Sequence, residues 1–257
     1  MQIDVILTPA EFPTLVARDL SATTCVVFDV LRATSSMLTA LNNGAEAIIP
    51  VSEISEALAI KQKRPDVLLA GERHGLRIRK ELTGSIDFDF GNSPRDFTPE
   101  KVRGKAIAWT TTNGTRALRA CAHAEMILLG GLVNLRAVAD ILEQLRPRHL
   151  LLICAGTFET AAFEDLFAAG ALIEALQHLA NNDDLSDSAR LIWHAHCHVN
   201  TDNELIASSS NARRLSANPD LAPDVPLCLQ RNSIQLNASL LNDGSVRAMH
   251  GFGTKLA

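Results

Sequence analysis

Short apolar runs of strand length alternate with helical patterns along most of the chain, and this alternation most narrows what the chain can fold into. Runs at 3–7, 24–30, 47–51, 67–70, 106–109, 126–129 and 149–154 have strand length and are bounded by polar or turn residues. Between them, 34–41, 54–62, 115–121, 135–145 and 162–179 carry helical patterns. Strands separated by helices pair in parallel, so the order predicts an α/β fold with a largely parallel sheet. The 257 residues suffice for a single domain with a large core, or for two subdomains of about 1–100 and 101–257.

An approximate internal repeat runs through the same stretch. Ala45-Glu46 aligns with Ala124-Glu125, Glu56-Ala57-Leu58-Ala59 with Arg136-Ala137-Val138-Ala139, and Ala70-Gly71 with Ala155-Gly156. Each copy reads strand, Thr-rich loop, helix, strand, helix, strand, which fits two similar βαβαβ halves; any two such units also look alike without a common origin. Beyond 179 the order is a linker at 181–184, helices over 186–198 and 202–215, and strands at 226–230 and 245–248.

Bulk properties exclude several classes. The net charge is −5 and no dense Lys/Arg run occurs, which argues against nucleic acid as a partner. The apolar runs are too short and interrupted to span a bilayer, and the start has no signal-peptide pattern. Cys25, Cys121, Cys154, Cys197 and Cys228 contain no C-x-x-C pair; they are expected as free thiols in a reducing, cytoplasmic setting.

Ligands of open α/β sheets bind beyond the carboxyl ends of strands, so the polar loops there are the candidate sites. Asp29-Val30-Leu31-Arg32-Ala33-Thr34 follows one apolar run. Its carboxylate can hold a hard cation, and Arg32 with the helix N-terminus can hold phosphate oxygens; a plain helix cap at Asp29 fits the same residues. Leu31 stands where phosphatases of the haloacid dehalogenase type carry a second Asp, which disfavours their mechanism. Gly71-Glu72-Arg73 opens a glycine-rich segment, 71–98, read as a long functional loop with a short hairpin. Within it, the acceptors of Asp87-Phe88-Asp89-Phe90-Gly91-Asn92-Ser93-Pro94 suit either a ligand loop or an Asx-turn.

Thr110-Thr111-Thr112-Asn113-Gly114-Thr115 offers hydroxyl and N–H donors to an anion, or simply caps a helix; without Gly-Lys-Ser/Thr it is no Walker A loop. Glu159, Glu164 and Asp165 lie near a helix start, where the dipole favours acids in any case; as metal ligands they would add a third carboxylate. His194, His196 and His198 share a face only in a strand, and the helical reading spreads them apart, against a zinc site.

Taken together, Asp29-Val30-Leu31-Arg32-Ala33-Thr34, Gly71-Glu72-Arg73, Phe90-Gly91-Asn92-Ser93-Pro94, Thr111-Thr112-Asn113-Gly114-Thr115 and Cys154-Ala155-Gly156 with Glu164-Asp165 resemble, in order, the motifs of the 2-phosphosulfolactate phosphatase family. The resemblance implies a three-layer α/β/α fold, homo-oligomers, and Mg²⁺-dependent hydrolysis of 2-phospho-3-sulfolactate, a step of coenzyme M biosynthesis. Three features depart from the pattern: Thr157-Phe158-Glu159-Thr160 lacks the usual loop glycine, Ala212 replaces the glycine of a Ser-x-x-Gly element, and the loop after Gly75 carries extra residues.

The expected site follows. Asp29, Glu72 and Asp165, with Glu164 as alternate, hold Mg²⁺; Asp29, Arg32 and Glu72 are catalytic, with attack on phosphorus by an activated water and by Asp29 itself both open. The phosphoryl oxygens lie against Arg32 and the loop of Thr111, Thr112, Asn113, Gly114 and Thr115. Arg73 and Asn92, with Ser93 beside them, orient the carboxylate or sulfonate. A non-catalytic binding protein for a small phosphorylated or sulfonated metabolite is the competing expectation.

Overall fold

The computed structural model describes residues 1–180, 182–199 and 201–249. Its strands are β1 (Gln2–Ile6), β2 (Thr23–Phe28), β3 (Ala47–Pro50), β4 (Leu68–Arg73), β5 (Leu76–Arg77), β6 (Ala106–Thr110), β7 (Met126–Gly130), β8 (His149–Cys154), β9 (Ala238–Leu240) and β10 (Val246–Ala248). Helices of six residues or more are α1 (Ala33–Asn42), α2 (Ile54–Lys63), α3 (Gly114–Ala120), α4 (Leu135–Leu145), α5 (Phe163–Leu176), α6 (Asp187–Cys197), α7 (Asp202–Ser208), α8 (Ser210–Ser216) and α9 (Asp224–Leu229).

All ten strands join one sheet in the order β1-β8-β2-β7-β9-β10-β3-β6-β4-β5. It holds two parallel blocks. In one, β2 lies between β8 and β7, with Cys25 opposite Leu151 and Ile127. In the other, β6 lies between β3 and β4, with Ala108 opposite Ile49 and Leu69. The short antiparallel strands β9 and β10 bridge β7 to β3, so the two blocks run in opposite directions. The units β2-α1-β3-α2-β4 and β6-α3-β7-α4-β8 therefore interleave: the first strand of each is inserted between the last two strands of the other. The 1–100 and 101–257 segments share a single sheet.

Strands β2, β6 and β8 are near-continuous apolar runs because both of their faces are covered. One face of both blocks packs on α1 and α3 in a common core reaching from Val27 through Met37 and Leu118 to Ile107 and Trp109. The opposite face of the first block lies under α4 to α9, and that of the second under α2. Three layers result. Helix α1 is buried almost all round, and its hydroxyls avoid desolvation cost by donating inward: Thr34 to Asp29 O at 2.9 Å, Ser35 to Val30 O at 2.8 Å and Ser36 to Asn92 O at 2.9 Å.

The C-terminal third departs from expectation. The helix expected over 202–215 breaks at Ser209, whose backbone is extended and whose Oγ accepts the Ala212 N–H at 2.9 Å, starting α8 anew. The strand expected at 226–230 is instead α9: Pro226 is tolerated in a first turn, and Val225, Cys228 and Leu229 bury a helical face. Strand β4 runs on to Arg73, so Glu72 and Arg73 belong to a strand that hairpins into β5. Of the expected linker, Asn181 lies outside the described residues. No described helix is long and apolar enough to cross a membrane.

Helix α5 carries Glu164 and Asp165 and packs on α6 through Gly170, where an added Cβ would stand 2.6 Å from Ile192 O and 2.7 Å from His196 Cβ. Gly170→Ala is therefore expected to push the two helices apart and to lower unfolding free energy by about 1–3 kcal/mol. Urea denaturation of the two proteins checks this; an unchanged midpoint would contradict the close packing.

Candidate active site

A cavity opens at the carboxyl ends of β2, β4, β6 and β8, with the α8 helix on its wall. Asp29 and Arg32 come from the turn after β2, Glu72 from the end of β4, and Thr111, Thr112 and Asn113 from the loop after β6. Asn92, Gly75 and His74 complete one side, and Phe158, Asn211 and Arg214 another. Distant polar loops thus meet in space.

Asp29 is buried at its centre. Its Oδ1 accepts the Ala33 N–H at 3.0 Å, which fixes the carboxyl against the start of α1. Its Oδ2 lies toward Gly114, where an added Cβ would stand only 2.7 Å away and also 2.7 Å from Ala33 Cβ. Glycine at 114 thus lets the β6 loop approach the β2 turn, a role that depends on having no side chain. Burial, reinforced by the Glu72 and Glu164 carboxylates and opposed by the Ala33 N–H and Arg32, pushes the Asp29 carboxyl up to about 7. Glu72 is held by the Gly75 N–H at 2.7 Å and by both the N–H and hydroxyl of Thr112 at 2.9 Å.

Arg32 is fixed by a buried partner that the sequence did not suggest. Its Nη1 donates to Asp224 Oδ2 at 2.5 Å and its Nη2 to Gly75 O at 2.7 Å. Asp224, fully buried at the start of α9, also accepts from Ser93 Oγ at 2.6 Å and Arg95 Nε at 2.7 Å. Asp224 lies just before the stretch 226–230, which reads as a strand and hides the helix that begins at Asp224. Asn211 and Arg214 lay inside what reads as an unbroken helix.

The remaining expected residues divide. Glu164 and Asp165 do not line the cavity. Asp165 receives the Val30 N–H at 2.8 Å and the Gly156 N–H at 3.0 Å, tying the turn after β2 to the end of β8. Burial and the neighbouring Glu164 and Asp29 carboxylates drive its pKa well above the ordinary range. Glu164 accepts from Ser209 Oγ at 2.6 Å and Asn211 Nδ2 at 2.9 Å, anchoring the α7–α8 corner. Arg73 points away, donating to Glu72 O at 2.7 Å and Thr110 Oγ1 at 3.1 Å, and Ser93 faces Asp224. Thr115 is buried, its hydroxyl donating to Thr111 O. Glu159 pairs with Arg116 at 2.8 Å. His194, His196 and His198 lie along or at the end of α6, where His196 meets Glu174 at 2.7 Å.

Among the described residues, no three His, Cys, Asp or Glu side chains form a ready metal-ligating group. The cavity nonetheless has the donors that Mg²⁺ uses, since that ion is commonly held by one or two carboxylates, waters and substrate phosphate. Asp29 and Glu72 supply the carboxylates. Asn92 Oδ1 and Asn113 Oδ1 are buried acceptors without a hydrogen-bond partner in residues that line the cavity. Asn113 is oriented by its Nδ2, which donates to Ala155 O and Phe158 O at 3.0 Å.

The chain was also compared with known proteins by sequence. The family model described as 2-phosphosulpholactate phosphatase matches residues 8–240. The chain belongs to that family. A relative from Caldanaerobacter subterraneus subsp. tengcongensis is 38% identical over 91% of this chain and 94% of its own. Relatives from Thermotoga petrophila, at 36% over 93% and 96%, and Clostridium novyi, at 34% over 92% and 95%, are similar throughout. Each is named "probable 2-phosphosulfolactate phosphatase". By family the chain is a phosphoric monoester hydrolase. Phe158, in the loop after β8, adopts φ +55, the left-handed region that glycine occupies most easily.

The raised Asp29 pKa has a consequence for stability. A carboxyl near 7 when folded and 3.8 when unfolded binds more protons in the folded state between those values. Its contribution is complete below pH 3.8 and is lost as pH rises through about 7. In chelator, the stability difference between wild type and Asp29→Asn is expected to shift by on the order of 3–4 kcal/mol against wild type between pH 4 and pH 8. Denaturation across that range measures it; a difference independent of pH would show that Asp29 titrates normally.

Proposed function

We propose that this enzyme hydrolyses 2-phospho-3-sulfolactate to 3-sulfolactate and inorganic phosphate with Mg²⁺ bound at Asp29 and Glu72. The observation that carries this reading is the meeting, in one cavity, of two carboxylates and two unpartnered amide oxygens with a guanidinium locked in place. Bound Mg²⁺ would stabilise charge on the transferring phosphoryl group.

The protein's own groups have distinct parts. Arg32 keeps N–H donors beyond the two given to Asp224 and Gly75 O, and these can donate to phosphoryl oxygens. Asp224 prevents the guanidinium from swinging away. Asn92 can donate its amide N–H to the ester, Asn113 Oδ1 would serve the bound ion or its water, and Thr112 holds Glu72. Burial pushes the metal-free Asp29 carboxyl up to about 7, and a bound dication would keep it ionised as a ligand. Either water or an Asp29 oxygen bonds to phosphorus as the ester P–O bond breaks, an aspartyl-phosphate in the second case being hydrolysed by water in turn; the proton that the water gives up goes to the leaving oxygen, which becomes the sulfolactate hydroxyl.

Phosphate release from 2-phospho-3-sulfolactate is expected with Mg²⁺ and not with chelator. Asp29→Asn is expected to lower kcat by about 10²–10⁴-fold. Undiminished release in that variant would remove Asp29 from the chemistry. An absence of release in both conditions, with thermal stabilisation by the ester, would replace hydrolysis with simple binding.

A further inference from the structure

Resting on that reading, we propose that Arg214 binds the second anionic group of the substrate, the carboxylate or sulfonate carried beyond the phosphate. The sequence pointed to Arg73 for this task, but Arg73 is engaged with Glu72 O and Thr110 Oγ1 and does not line the cavity. Arg32 lines it but is tied to Asp224 at 2.5 Å and is assigned to the phosphoryl group. Arg214 also lines it, from α8, and among the described residues has no carboxylate within ion-pair distance.

The side chain is held ready. Its Nη2 donates to Asn211 Oδ1 at 2.6 Å, while Asn211 Nδ2 donates to Leu31 O at 2.8 Å and Glu164 Oε1 at 2.9 Å. Asn211 is thereby fixed by two buried acceptors and aligns the guanidinium in turn. Arg214 Nη1 then lies 3.3 Å, and Arg32 Nη2 3.9 Å, from where a Cβ on Gly75 would stand. Two guanidinium groups approach one point on the cavity wall, and Gly75, at φ +82, leaves the space between them open. The inner one serves the phosphoryl group and the outer one is free to pair with another anion. A planar fork suits both carboxylate and sulfonate oxygens. Buried Glu164, expected as a metal ligand, acquires a different purpose: it positions Asn211, and through it Arg214.

The test is steady-state kinetics of wild type, Arg214→Gln and Arg214→Lys with Mg²⁺. Arg214→Gln is expected to raise the KM for 2-phospho-3-sulfolactate and the inhibition constant of 3-sulfolactate by about 10–100-fold. Its kcat and the inhibition constant of inorganic phosphate, which fills only the phosphoryl subsite, stay within about threefold of wild type. Arg214→Lys keeps the charge without the fork and gives intermediate values. As substrates or competitive inhibitors, 2-phospholactate and isethionate phosphate identify the group bound, because the Gln penalty vanishes for whichever compound lacks it. Unmoved KM and 3-sulfolactate inhibition would overturn the proposal, as would an equal weakening of phosphate. Wild type that releases no phosphate from the ester would instead overturn the reading on which the proposal rests.

Discussion

Five carboxylates are buried around the carboxyl ends of the strands, and the way each is satisfied determines how the loops come together. Asp165 joins the β2 turn to β8 through two backbone N–H groups, Glu72 joins β4 to the β6 loop, Glu164 draws in the α7–α8 corner, and Asp224 collects Arg32, Ser93 and Arg95. Among these five only Asp29 keeps an oxygen outside a hydrogen bond, with a carboxyl pushed up to about 7; burial pushes Asp165 up as well, but both of its oxygens are engaged. Burial of an anion is costly unless it is paired or hydrogen-bonded. The same bonds that relieve this cost for four acids are the struts of the cavity, and the fifth acid is left for chemistry. Removing one partner of the Arg32–Asp224 pair would leave a buried charge uncompensated, at a cost of about 3–5 kcal/mol.

The interleaved sheet makes this gathering possible. Because β2 sits between β7 and β8 while β6 sits between β3 and β4, the functional loop of each unit lies beside strand ends of the other. Asp29 follows β2 yet is pinned next to Gly114 after β6; Thr112 follows β6 yet bonds Glu72 at the end of β4. The site is composed from both units at once.

Much of this was legible in the sequence where a physical period governs. The expected strands before residue 155 and the five helices before residue 180 all form, because apolar period and turn residues act locally. Asp29, Arg32, Glu72, Asn92, Thr111, Thr112 and Asn113 reach the cavity because they follow or end strands, where ligands of such sheets bind. The failures have equally physical causes. Arg73 is the neighbour of Glu72 in a strand, and alternate side chains face opposite sides, so only one of the two could enter the cavity. Glu164 and Asp165 begin a helix whose first turn is buried, and there the carboxylates serve backbone and hydroxyl donors. Ser209 looks like an ordinary helical residue until its hydroxyl is seen to cap α8. Asp224 and Arg214 act across more than 100 positions of chain separation, which no local pattern encodes.

The interleaving also bears on how the chain is made. Strand β2 finds its partners in β7 and β8, about a hundred residues further on. During synthesis, therefore, an apolar segment such as Thr23–Phe28 leaves the ribosome with neither edge paired and waits several seconds for its neighbours at ordinary translation speeds. Such a nascent chain is a natural client for chaperones that shield hydrophobic strands until the second unit emerges.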